Sequence, residues 1–163
     1  MPKSTPKAFS ATQALLNAFA INDRINQYLL DHLPAEAWRA EPHSGKGRDI
    51  ASIAAHIHNV RVMWLKAAAK GSAIPEQLER QKVTVEEAKD ALKISGEALS
   101  RLLEAALESD GRIKGFKPDV AAFFSYLIAH DAHHRGQIAM LARQLGHPLP
   151  QKAMFGMWEW GSR

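Results

Sequence analysis

The chain has 163 residues, 46% hydrophobic and 23% charged, the balance of a soluble globular protein long enough to bury a core without staples. It contains no cysteine, which excludes a disulfide framework and a thiolate metal site alike. The net charge of +4 comes from basic and acidic residues that interleave, as in Glu76-Gln77-Leu78-Glu79-Arg80-Gln81-Lys82, so no clustered cationic face marks a nucleic-acid binder.

Residues 1–7 lack an apolar core and read as a loose tail rather than a signal peptide. From about Thr12 to Leu33, the positions Leu15, Phe19, Ile25 and Leu29 mark a first amphipathic helix, stopped by Pro34. A linker to Arg48 follows, with Trp38 as its one large apolar anchor. Asp49 is a plausible N-cap for a second helix running to about Lys70, with Gly71 at its stop and Ile53, Ile57, Val60 and Trp64 as its stripe. Thr84 with Glu87 has the form of a capping box, and a third helix runs to about Leu107. A proline-free run from Val120 to Leu145 gives the fourth, closed by Gly146 and Pro148.

Residues 147–163 are too apolar for a free tail and are expected to pack on the bundle or on a second subunit. Without a strand pattern or a repeat, one all-α domain, a four-helix bundle over residues 1–163, is the economical solution. No apolar run reaches the about 18 residues of a membrane span, so a cytoplasmic protein with neither membrane nor nucleic acid as partner is expected.

Chemistry concentrates in the histidines. In the fourth helix the stripe of Phe123, Leu127, Leu141 and Leu145 passes through His130 and His134, so imidazole twice stands where an apolar side chain is due. Residues i and i+4 share a helix face one turn apart, and two buried imidazoles are costly unless a divalent ion draws their lone pairs together. The second helix offers a third ligand. His56 lies on the Ile53, Val60 and Trp64 side, whereas His58 is turned about 200° from it, so only one can face the metal. The helical face selects His56. It leaves His58 on the polar face or behind a ligand, and puts His133 and Asp131 on the flank of the site.

Three histidine ligands leave the coordination sphere open, as catalytic sites do. His133, His58 and Asp131 are candidates for orienting ligands or moving protons. The string His130-Asp131-Ala132-His133-His134 also resembles a metalloprotease H-E-x-x-H, with a shorter acid and no third-ligand signature downstream, which argues against protease chemistry.

Together, Ala55-His56-Ile57 with Arg61 and Trp64-Leu65, and His130, His133, His134, Arg135, Gly136 and Gln137, resemble the DinB-like, bacillithiol-transferase-like superfamily over nearly the whole chain. The resemblance implies an up-up-down-down bundle with a crossover connection, and a three-histidine site for zinc or nickel. It also implies a homodimer and transfer of a low-molecular-weight thiol to a small electrophile. Carried over, the ligands are His56, His130 and His134, although the second-helix motif leaves the choice between His56 and His58 open. Arg61, Arg135 and Gln137 match motif positions without an assigned role. The leading expectation is a metal-dependent thiol S-transferase or hydrolase acting on a small molecule. The alternatives are a non-catalytic, metal-binding stress-response bundle and a structural dimer with buried histidines.

Overall fold

The computed structural model describes residues 8–43, 45–69 and 71–163, so the tail expected at residues 1–7 and the helix end expected at Lys70 lie outside the described residues. Four long helices form: α1 (Ala11–Asp31), α2 (Ile50–Ala68), α3 (Val85–Leu107) and α4 (Val120–Gln144), followed by a short α5 (Gln151–Gly156). Each long helix starts on a side-chain cap that satisfies an otherwise orphaned N–H. Ser10 accepts from Gln13, Asp49 from Ser52 and Asp119 from Ala122, and Thr84 with Glu87 closes a complete capping box.

Side-chain contacts give the directions. The start of α1 meets the start of α4 through Phe19 and Phe124, and Asn22 and Asn26 follow against Asp131 and Arg135, so α1 and α4 run parallel. His56 lies against His130 and His134, and Trp64 against Phe123 and Tyr126, so α2 runs opposite to α4. At the end of α1, Gln27 donates to the Lys89 carbonyl and Asp31 pairs with the Lys89 amine, so α3 also opposes α1.

The bundle is therefore up-down-down-up, with α1 and α2 diagonal and each packed on both α3 and α4. This differs from the expected up-up-down-down order. The linker after α1 folds back on itself: Trp38 is buried, donates its indole N–H to the Val83 carbonyl, and accepts from the Ala51 N–H. The chain therefore returns directly into α2. The crossover expected somewhere in the chain falls after α2, and its described part spans residues 71–84. It is tied down by Asn59, which donates to the Leu78 carbonyl and accepts from the Leu78 N–H, and by His58, 2.8 Å from the Glu76 carbonyl oxygen.

The core falls into two apolar clusters. One gathers Leu29, Ile50, Leu92 and Ile138; the other gathers Phe19, Leu65, Leu99 and Phe123. Between them every long helix contributes buried polar residues: Asn22 and Asn26 on α1, His58 and Arg61 on α2, Ser95 on α3, Asp131 and His134 on α4. Buried polar groups are tolerated where they satisfy one another, and this middle layer is where the candidate site lies. Beyond α4, Leu149 and Ala153 pack on the bundle, and the Arg163 guanidinium sits 3.8 Å over the Tyr28 ring. Trp158 and Phe155 stay exposed. Among the described residues, no helix is long and apolar enough to cross a membrane.

Candidate metal centre

In the middle layer α2 and α4 face each other with imidazoles. His56 packs between His130 and His134, with ring centroids 5.4 Å and 4.7 Å away, and the two α4 rings lie 4.5 Å apart. One ring nitrogen from each of the three lies within 4.8 Å of the others. Nitrogens bound at about 2.1 Å to one tetrahedral zinc-like ion lie about 3.4 Å apart, so the rings would draw together by up to about 1.4 Å to close around it. His134 is buried, whereas His56 and His130 are half-buried and keep part of their rings at the surface.

The donor chemistry fits a divalent cation. Burial, followed by the charge of Arg48 and the neighbouring rings, pushes the His56 pKa down to about 4. Burial lowers His134 as well. Imidazoles held neutral near pH 7 keep the lone pairs that a metal needs. The buried Nδ1 of His56 has no hydrogen-bond partner among the described residues.

The neighbours set the rings. Gln137, one turn on from His134, places its Oε1 2.7 Å from His134 Nδ1 and its amide nitrogen 3.0 Å from His133 Nε2. The amide orientation that fits both has Oε1 accepting Nδ1–H from His134, which leaves His134 Nε2 free, and the amide N–H donating to His133. His130 presents Nδ1 3.7 Å from Asp131 Oδ1, an oxygen that is fully buried and otherwise unpartnered. One turn before His130, Tyr126 begins an aromatic wall that continues through Phe116, Trp64 and Phe123.

Asp131 itself is held from three directions. Its Oδ2 accepts from Asn22 Nδ2 at 2.7 Å, Asn26 Nδ2 at 2.9 Å and Arg61 Nη2 at 2.7 Å. Arg61, only 1% exposed, also donates Nη1 to Asp23 at 2.6 Å and to the Leu92 carbonyl at 3.0 Å. Arg135 Nη1 donates to the side-chain oxygens of both asparagines. The layer therefore holds two guanidinium groups and two carboxylates in charge balance. Burial alone would raise Asp131, but Arg61 and the amide and imidazole donors outweigh it and hold the carboxyl well below the usual carboxylate range. At Asp23 burial prevails over Arg61 and the pKa is raised.

Of the residues singled out from sequence, the structure brings His56, His130 and His134 together, with Asp131, Gln137 and His133 touching them from behind or beside. His58 is apart from the group and is not on a polar face. It is buried against α3, with Nδ1 2.9 Å from the Ala91 carbonyl oxygen and 3.1 Å from Ser95 Oγ. Arg61 and Arg135 acquire definite contacts in the charged layer. Sequence reasoning missed Asn22, Asp23 and Asn26. The signal was present in Asn22 and Asn26, which stand i and i+4 on the apolar face of α1 as the histidines do on α4.

Comparison with known proteins agrees with this architecture. The crystal structure of a DinB-like protein from Bacillus cereus superposes with a TM-score of 0.66 over 85% of this chain and 95% of the other, at 23% identity, which establishes shared fold. No curated protein sequence matches the chain. The model of the DinB family matches residues 1–160, and the chain belongs to the DinB family.

Proposed function

We propose that His56, His130 and His134 hold one divalent metal ion, zinc or nickel, and that the protein is a metal-dependent enzyme transferring a low-molecular-weight thiol to a small electrophile. The observation that carries this reading is the convergence of three imidazole nitrogens within 4.8 Å, two of them on half-buried rings. When bound, such an ion supplies Lewis acidity that lowers the pKa of a thiol or water placed against it.

The chain's own groups favour thiol transfer over hydrolysis. Asp131, held far below the carboxylate range and enclosed by four side chains, has no free access to a substrate proton. His58 spends both ring nitrogens on α3 and the crossover. His133 Nε2 already meets the Gln137 amide. None of these three is free to act as a base for water, whereas Arg48 and Arg80 near His56 add positive potential that favours a thiolate. Gln137 and Asp131 serve to orient His134 and His130, and Tyr126 and Trp64 wall one side of the approach.

The test is metal analysis of the purified protein after loading with zinc or nickel. One ion per chain is expected, lost in His56→Ala, His130→Ala and His134→Ala and kept in His133→Ala. Stoichiometric metal in all three ligand variants would overturn the site, and failure to accelerate thiol addition to a model electrophile with metal bound would overturn the reaction.

A further inference from the structure

A cavity of about 240 Å³ opens on the side of α4 away from the histidines, between Ile128 and Gly136 of that helix and Met157, Trp158 and Trp160 of the C-terminal segment, with Arg135 in its lining. Its walls are apolar and aromatic apart from Arg135. Arg135 spends Nη1 on the amide oxygens of Asn22 and Asn26. Its Nε and Nη2, the edge that presents two parallel N–H groups, meet no acceptor among the described residues, and no carboxylate touches it. The contrast with Arg61, which has a carboxylate on each side, is direct. Neither the Trp158 nor the Trp160 indole N–H meets an acceptor among the described residues.

We propose that this cavity is a binding site for a small aromatic carboxylate, its ring packed between the α4 face and the C-terminal tryptophans and its carboxylate paired with the free edge of Arg135. A guanidinium edge matches a carboxylate in two parallel hydrogen bonds, and a partly desolvated one gains more from that pairing than a solvated one. The volume lies just below the about 300 Å³ at which drug-sized sites begin, which suits a ligand of one or two fused rings. The site faces away from the histidine group and does not rest on the metal reading.

The test uses the full chain in the presence of chelator, so that a carboxylate cannot register at the histidines. By isothermal titration, 2-naphthoate is expected to bind at least about tenfold more tightly than the neutral 2-naphthylmethanol, the return of a charge-assisted pair. Arg135→Gln is expected to erase that preference. Gly136→Leu is the second variant, because a Cβ at Gly136 meets nothing within 4 Å and the helix gains from the replacement. It leaves every Arg135 bond in place, fills the cavity and is expected to weaken naphthoate binding about tenfold or more. Equal binding of acid and alcohol, or naphthoate affinity unchanged in Gly136→Leu, would overturn the proposal. So would a wild-type dimer that ignores naphthoate and is split by Gly136→Leu, which would assign the groove to a second copy.

Discussion

Asp131→Asn is the sharpest probe of the middle layer. The substitution keeps shape and one acceptor oxygen but removes the charge that Arg61 faces at 2.7 Å. Breaking a buried ion pair by neutralising one partner commonly costs about 3–5 kcal/mol, because the other charge stays buried. Arg61 retains Asp23 at 2.6 Å, and the new amide can still accept from an asparagine, so the loss should fall near about 2–4 kcal/mol.

The pH dependence of this loss follows from the sign of the shift. Asp131 is depressed in the folded chain, so its stabilisation is present above the unfolded aspartate value of about 3.9 and fades only as pH falls below it. The difference between wild type and variant should therefore be nearly the same at pH 7 and pH 5. His130 also loses the acceptor aimed at its Nδ1, which should weaken metal binding about 10- to 100-fold. Urea unfolding of chelated protein, followed by circular dichroism, and competition against a metal indicator measure the two effects separately. A stability loss below about 1 kcal/mol would refute the buried-pair reasoning. Metal affinity within about twofold of wild type would refute Asp131 as the residue that positions His130.

Gly96→Ala should destabilise by about 1–3 kcal/mol in the same urea assay, despite alanine's better helix propensity. A Cβ there would lie 2.7 Å from Asp23 Oδ2 and drive that carboxylate off Arg61; an unchanged midpoint would show that Asp23 moves freely. His56, His58 and His134 are all depressed in the folded, metal-free chain, so the unfolded chain takes up protons first. Stability should therefore fall as pH drops from about 6.5 toward 4, and flat stability across that range would contradict the burial of these rings. Chelation should leave the helical signal intact at 25 °C and lower stability by only about 3 kcal/mol at metal concentrations near a hundredfold over Kd; wholesale loss of helix would mean a structural metal.

Much of the bundle was legible because its signals are local. Asp49 and the Thr84–Glu87 box mark helix starts by chemistry that acts within a single turn, and His130 and His134 stand out because they interrupt a stripe at a period that only a helix has. What was not legible depends on partners far along the chain. His58 was placed opposite a single stripe, but α2 packs against both α3 and α4 and buries two faces, so the side turned away from the histidine group is occupied by Ala91 and Ser95. Helix direction depends on whether the linker with Trp38 turns back or crosses, and that is decided by the acceptor at Val83, 45 residues away. On α1, Asn22 and Asn26 take their meaning only from Asp131 and Arg135, more than a hundred residues along the chain.

The middle layer places the geometry of one candidate ligand under the control of several helices. His130 is carried by α4, but the carboxylate behind it is held by amides from α1 and a guanidinium from α2, and that guanidinium is braced in turn by a carbonyl of α3. Because Oδ2 of Asp131 satisfies all three donors, Oδ1 is left for the imidazole alone. An arrangement built only for stability would gain from replacing the buried charges with apolar side chains of similar volume, since such replacement is often neutral or favourable. Retaining two arginines and two aspartates in a layer between two apolar clusters is intelligible if what they fix is orientation. A carboxylate aimed at Nδ1 favours the tautomer whose Nε2 is unprotonated, and an exposed carboxylate, free to rotate and solvated on both oxygens, would hold the ring far less firmly. Loosening any of the four helices at this level should therefore reach the histidine group through Asp131, even where the altered residue touches no histidine.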